Sequence, residues 1–265
     1  MSKMIVVNNL VRTFDGVRAV DGISFDVEAG KIFGFLGPNG AGKTTTIKML
    51  TTTLAPTSGS VTLDGHNPVI DPLEARRSFG IVFQDPSLDG ELTAYENMEL
   101  HAALYHVPTA ERKERIERFL KFVELWERRS SFAKTFSGGM KRRLEIARAL
   151  LHTPKILFLD EPTLGLDPQT RNHIWGYIQT LAHEKQMTVF FTTHYMDEAD
   201  RVADEIAVID QGKIVARGTP ASLKESTKTR TLEESFIQLT GHAIRDDESS
   251  PQDALRNMGK AWGRS

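Results

Sequence analysis

Gly37, Pro38, Asn39, Gly40, Ala41, Gly42, Lys43 and Thr44 follow one another, and they fit the pattern G-x-x-x-x-G-K-[ST] at every position. Ile32-Phe33-Gly34-Phe35-Leu36 precedes the octet and is apolar enough for a buried strand, while Thr44 to Leu50 can start a helix. Strand, glycine-rich turn and helix N-terminus leave a ring of backbone N–H groups aimed at one point, which suits a polyphosphate. The glycines admit close backbone approach that a Cβ would block. Lys43 supplies a cation for the β- and γ-phosphates, and the Thr44 hydroxyl can ligate Mg²⁺. A plain strand–helix turn would need neither the lysine nor the threonine.

The remaining composition narrows the setting. A chain of 265 residues, 40% hydrophobic, suits one large domain or one domain with an inserted lobe. A formal net charge of −2 gives no support for nucleic acid as the main partner. Without cysteine there is neither a disulfide nor a thiolate metal site. The first residues lack a signal-peptide layout, and no apolar run approaches the ~20 residues that span a bilayer. A cytoplasmic chain is expected, with any membrane connection made through a partner.

Apolar runs order the chain into an α/β core with an insertion. Met4–Leu10 and Ile23–Val27 read as strands, split by the turn signals Asp15-Gly16 and Asp21-Gly22. Thr57–Ser60 reads as a loop, Val61–Leu63 as a strand, and Phe79–Phe83 as a strand ending at Gln84. From about Leu92 to Arg129 the period turns helical, with Tyr95, Met98 and Ala102 on one face and then Ile116, Leu120 and Val123. The mixed-sign charges of Glu111–Arg118 read as a solvated helix face. Ile156–Leu159 and Thr188–Thr193 are continuous apolar runs, as expected of parallel strands buried on both faces, with a helix pattern from Thr170 to Ala182 between them. Ile206–Ile209 and Lys213–Val215 form a hairpin about Gln211-Gly212. Thr219-Pro220 and the capping box from Thr231 to Glu234 open two short helices, the second stopped by Gly241.

A phosphate loop alone signifies nucleotide binding; hydrolysis needs a second magnesium anchor and a group that orients water. Asp160-Glu161 ends a buried strand, where ligands of parallel sheets sit. Asp160 is expected to hold Mg²⁺ through water, and Glu161 to act as general base. His194 follows the run Thr188–Thr193 on the same edge and could bond the γ-phosphate or hold the attacking water. Gln84, ending its own strand, could touch Mg²⁺ or water. His101, His106 and His183 show no metal-ligand spacing. Ser137-Gly138-Gly139 precedes an amphipathic helix with Lys141, Arg142 and Arg143 in its first turn, and is either a second anion site or an ordinary helix cap.

In this order and together, the segments from about 4 to 240 resemble the nucleotide-binding domain of ATP-binding cassette (ABC) proteins. Phe136-Ser137-Gly138-Gly139-Met140 is similar to the family signature, with Met140 in place of the usual glutamine. Gln84 corresponds to the Q-loop, Leu164-Gly165-Leu166-Asp167 to the D-loop and His194 to the switch histidine. The resemblance implies a P-loop NTPase (RecA-like) α/β core with an antiparallel β subdomain and an inserted α-helical subdomain. It implies one domain over 4–241: core about 4–86 and 152–218, helical lobe about 87–151, C-terminal helices about 219–241, and a flexible tail over 242–265. ATP and Mg²⁺ would be bound by Phe14, stacked on adenine, by Gly37 through Thr45, and, for the metal, by Thr44, Gln84 and Asp160. Two chains would sandwich two ATP molecules, with Ser137, Gly138, Gly139 and Met140 of one capping the nucleotide of the other.

Ser137–Leu151, Glu161–Pro168 and Leu232–Gly241 are similar to the daunorubicin-resistance branch of ABC-2 exporters. That likeness implies a homodimeric ATPase on the inner face of the cell membrane, driving a separate permease docked near Gln84–Tyr95. A soluble cassette ATPase acting on ribosomes, DNA or cluster assembly is the alternative, disfavoured by the single phosphate loop and the lack of a coiled-coil insertion. A nucleotide-regulated module without turnover is disfavoured by the presence of both Glu161 and His194.

Overall fold

The computed structural model describes residues 2–241. The expected loose tail over 242–265 lies outside the described residues. The apolar runs become strands buried from end to end: β3 (Ile32–Leu36), β6 (Ile156–Asp160) and β7 (Thr188–Thr192). They join β5 (Phe79–Val82), β8 (Glu205–Asp210) and β9 (Lys213–Gly218) in a six-stranded sheet of order β5-β6-β7-β3-β8-β9. All neighbours pair parallel except the β8–β9 hairpin.

Alternation along each strand divides the core into two layers. Phe33, Phe35, Phe158 and Phe190 face a second sheet, made of β1 (Lys3–Phe14), β2 (Val17–Glu28) and β4 (Ser58–Leu63). That sheet is antiparallel, in the order β2-β1-β4. Ile47 and Leu50 of α1 (Lys43–Leu50) fill the same layer. Phe25 of β2 stacks on Phe33 at 5.6 Å and meets Phe35 at 5.7 Å, so aromatic rings knit the two sheets. Each such ring buried contributes roughly 1.5–3 kcal/mol by apolar transfer. Leu157, Leu159, Val189 and Phe191 face the other way, onto α6 (Pro168–Lys185), α7 (Met196–Val202) and α9 (Leu232–Thr240).

The inserted segment has its own core. It follows α2 (Pro72–Ser78) and β5 and holds α3 (Ala94–Leu104), α4 (Thr109–Phe122) and α5 (Gly138–Ala149). Met98, Ile116, Leu120 and Leu144 meet at its centre. Thr93 starts α3 with a reciprocal capping box, its hydroxyl accepting from Glu96 N and Glu96 accepting from Thr93 N. The helix α8 (Pro220–Thr227) is capped by Thr219, α9 by Thr231, and Gly241 ends α9 in the left-handed region as expected.

Two expected boundaries are corrected. Asp21-Gly22 is not a turn: β2 pairs with β1 throughout, and the register slips between Leu10↔Ile23 and Val11↔Asp21, leaving Gly22 as an extra residue in a bulge. The freed Asp21 N–H donates to Gly212 O at 2.9 Å, a tertiary contact that local sequence does not announce. Within the expected loop Thr57–Ser60, residues Ser58, Gly59 and Ser60 open the edge strand β4, pairing with Val11 and Asn8 of β1. Their exposure leaves no apolar alternation to read. The short helices α2 and α7 were not foreseen.

Candidate functional site

The parallel sheet delivers its carboxyl ends to one edge, and the motif residues gather there. β3 runs into the glycine loop, which closes on α1. At Gly42 φ is +109°, and a Cβ would stand 2.5 Å from Ala19 O, so the turn admits only glycine. No side chain caps α1, which leaves the N–H groups of its first turn facing the loop's concavity. Lys43 lies beneath, 6% exposed, its Nζ donating to Gly37 O at 2.7 Å and Pro38 O at 3.1 Å. Burial pulls the Lys43 pKa below its ordinary value, against the opposing pull of the Glu161 and Asp160 charges.

Asp160 ends β6 and is buried. Thr192 on the adjacent strand donates its hydroxyl to Asp160 Oδ1 at 2.7 Å and accepts the Glu161 N–H at 3.0 Å. Burial raises the Asp160 pKa; hydrogen bonds from Thr192 and Thr44 and the charge of Lys43 oppose it. Glu161 holds φ +49°, a left-handed conformation costly for a residue with a Cβ. That turn points its carboxylate toward His194, whose Nε2 meets Glu161 Oε1 at 2.6 Å. The pairing of these two side chains was not anticipated; each had been assigned to the reacting phosphate or water separately.

Asn39, Gly40, Gly42, Lys43, Thr44 and Thr45 border a cavity of about 670 Å³, with Gln84, Glu161 and His194 on its other walls. Glu161 Oε2 and His194 Nδ1 are buried and have no protein partner, which fits a site completed by a ligand and water. The Thr44 hydroxyl beside the Asp160 carboxylate is an all-oxygen donor set of the kind Mg²⁺ takes, the rest of its shell coming from phosphate and water. Among the described residues no cluster of three or more His, Asp or Glu offers a metal cage, and Mg²⁺ bound with a polyphosphate needs none.

Other expected residues lie apart. Phe14 does not border this cavity; it is 41% exposed, with the Arg12 guanidinium 4.4 Å above its ring. Ser137, Gly139 and Met140 border a separate hollow of about 70 Å³ with Arg143, Thr170 and His173. Ser137 caps α5, accepting from Met140 N at 3.3 Å. Gly139 has an internal reason to be glycine, since a Cβ there would meet Thr170 Cγ2 at 2.5 Å. Asp167 caps α6, accepting Thr170 N at 3.0 Å and the Thr170 hydroxyl at 2.6 Å, and these bonds hold its carboxyl below the usual range.

One buried residue close to the site escaped the sequence. Glu198, 2% exposed, accepts from the Thr163 hydroxyl at 2.7 Å and the Thr193 hydroxyl at 3.4 Å and faces Arg171 at 3.5 Å. Arg171 in turn lies 4.3 Å over the Tyr195 ring. The turn after Glu161, the D-loop helix and both neighbours of His194 are thereby tied together. Its place four residues after His194 was the one signal available.

The chain is similar to known proteins over most of its length. Residues 20–164 match the family described as "ABC transporter". The chain is 43% identical, over 87% of its length and 70% of the relative's, to the daunorubicin/doxorubicin resistance ATP-binding protein DrrA of Streptomyces peucetius. It is 40% identical, over 82% of its length and 67% of the relative's, to the Nod factor export ATP-binding protein I of Ralstonia nicotianae. Its fold superposes with a TM-score of 0.74, at 29% identity, on a dimeric post-hydrolysis state of the ATP-binding cassette MJ0796 bound to ADP and Pi, covering 82% of this chain and 98% of that one.

Proposed function

This chain belongs to the ABC transporter family, and from that premise we propose that its two helix-end sites work in one ATP-driven cycle of closing and opening. It is an ATP-binding, ATP-hydrolysing subunit that uses Mg²⁺. The division of labour among its residues follows from where they stand. The open N–H groups at the start of α1 and Lys43 hold the polyphosphate. Thr44, Asp160 and Gln84 would hold Mg²⁺, which would supply Lewis-acid charge toward the bound phosphate. Glu161 takes a proton from the attacking water as general base, and His194 orients the Glu161 carboxylate through the 2.6 Å contact. Phe14 stacks on the adenine once Arg12 gives up that ring face.

The unit is one nucleotide-binding domain over residues 4–241, with a helical lobe over about 87–151. Its working form is a homodimer in which Ser137 to Met140 of one chain cap the nucleotide on the other, with Asp167 at the seam. The relatives' printed names support an exporter; in this reading the chain sits on the inner face of the cell membrane beside a permease of the ABC-2 type carried on a separate chain. No helix among the described residues is long and apolar enough to cross a membrane itself. The observation that carries the whole is the convergence of Lys43, Thr44, Asp160, Glu161 and His194 on one cavity edge.

The test uses Glu161→Gln. Turnover should fall by ~10²–10⁴, the usual contribution of a positioned base, while ATP is still bound. Tagged Glu161→Gln, incubated with Mg-ATP and detergent-solubilised membranes of the source cells, should retain a multi-spanning permease, identified by mass spectrometry and absent from a Lys43→Ala bait. Recovery of ribosomal or DNA-associated proteins instead would favour the soluble cassette.

A further inference from the structure

Arg142 was expected to be one of three basic residues in the first turn of an amphipathic helix. It is instead 6% exposed, and Glu145, one turn on, is 2% exposed. Their charges pair at 3.1 Å. A buried ion pair is retained at a desolvation penalty, and replacing both partners by apolar groups is often neutral or stabilising. Its presence therefore calls for an explanation beyond stability.

The explanation lies in what else the pair holds. Arg142 Nη1 donates to Phe83 O at 2.6 Å and Nη2 to Gln84 O at 3.0 Å. Glu145 Oε1 accepts the Ser87 N–H at 2.7 Å and the Ser87 hydroxyl at 3.3 Å. Arg148, a further turn along α5, donates to Ser87 O at 2.7 Å and bonds its hydroxyl. On the far side Asn97 of α3 accepts Asp89 N at 3.0 Å and donates to Asp89 O at 2.9 Å. The segment 83–89 thus follows a core strand in sequence but is fastened to the helical lobe. Gln84 borders the α1 cavity, while Ser137 at the head of α5 borders the separate hollow.

We infer that Arg142 and Glu145 are positioning residues that lock Gln84 to the signature helix, so that each chain couples its own ATP site to the site it completes on its partner. The inference rests on the dimeric reading above. Coupling of this kind is reciprocal: a nucleotide engaged by Ser137 tightens the seat of Gln84, and a nucleotide engaged by Gln84 favours the presentation of Ser137. Arginine is required for its geometry, because a planar fork reaches two consecutive carbonyls and a carboxylate at once, whereas a lysine ammonium cannot.

The experiment is run in the Glu161→Gln background. Arg142→Lys keeps the charge beside Glu145 and removes the fork; the double variant Arg142→Gln with Glu145→Gln removes both charges together and leaves neither stranded. Dimerisation is followed by light scattering against ATP concentration, monomer affinity by a fluorescent ATP analogue at protein concentrations too low to dimerise, and the Ser87 amide by hydrogen exchange. Both variants should bind the analogue as the background does. Their ATP midpoint for dimerisation should rise by about fivefold or more with a shallower slope. Ser87 exchange should speed up roughly tenfold in the double variant, where a neutral amide oxygen replaces the charged carboxylate as its acceptor. Variants that close at the parental ATP concentration, or a lysine that restores the parental midpoint, overturn the inference alone. A Glu161→Gln parent that stays monomeric with ATP overturns the dimeric reading and the inference with it.

Discussion

Two helices of this chain have glycines at their N-terminal ends, and they are finished differently. α1 has no capping side chain, opens into a cavity of about 670 Å³, and has a cation, a magnesium-type donor pair and a Glu–His pair around it. α5 is capped by its own Ser137 and opens on a hollow of about 70 Å³ that holds no carboxylate. The first carries binding and catalytic groups together within one chain, and in the proposed dimer the second is one wall of the partner's site. A wall of this kind becomes useful when another surface carrying phosphate is brought against it, which is the physical content of a signature that acts in trans.

Breaking the first site should have the largest effect. Lys43→Ala removes a buried ammonium, and charge-assisted hydrogen bonds contribute ~1.5–3 kcal/mol each. ATP affinity measured by calorimetry should fall roughly 100-fold or more. Parental affinity in that variant would remove α1 as the phosphate site. Next, Ser137→Arg fills the hollow beside α5. It should abolish ATP-driven dimerisation in the Glu161→Gln background and leave analogue binding by the monomer unchanged. Equal loss of monomer binding would mean that the two helix ends serve one nucleotide in the same chain.

The smallest effect is a difference in acid response between the two regions. His101 and His152 both stack against Tyr105 where α3 and the end of α5 meet β5, with ring centroids 4.5 and 4.1 Å from the tyrosine. Burial lowers their pKa values to about 3 and about 4. Below the unfolded value near 6.5 the unfolded chain takes up protons that the native stack refuses. Stability should therefore fall with acid, by up to ~1.4 kcal/mol per pH unit for each histidine, until pH reaches the native values. Asp160 has the opposite sign, because its raised pKa lets the native state bind a proton more readily than the unfolded chain does. Hydrogen exchange at pH 5 against pH 7 should thus show α3 and α5 loosening ahead of α1. Uniform loosening would deny the distinction, and His101→Asn with His152→Asn should flatten the pH dependence of the melting temperature.

The same contrast marks what the sequence could convey. The first site was legible because its parts are dictated locally: a glycine turn at Gly42, and acids and a histidine at the ends of apolar strands. The burial of the strands holding Phe33 and Leu157 also followed from their unbroken apolar runs. What escaped was set by contacts between distant segments. Nothing local distinguishes Arg142 from the half-buried Lys141 beside it, or shows that Thr192 will bridge Asp160 and Glu161. The edge strand from Ser58 and the bulge at Gly22 were misjudged for the same reason, since pairing with β1 and a bond to Gly212 decide them.

The left-handed backbone at Glu161 has a bearing on how such a chain can drift. A residue with a Cβ in that region costs of order 1–3 kcal/mol, and glycine or asparagine would sit there with less strain. Thr192 holds the conformation in place whatever side chain occupies it. Selection for turnover and selection for durability therefore pull on one codon in opposite directions. A lineage freed from the need to hydrolyse ATP would find its easiest gain in robustness at the residue proposed as the general base.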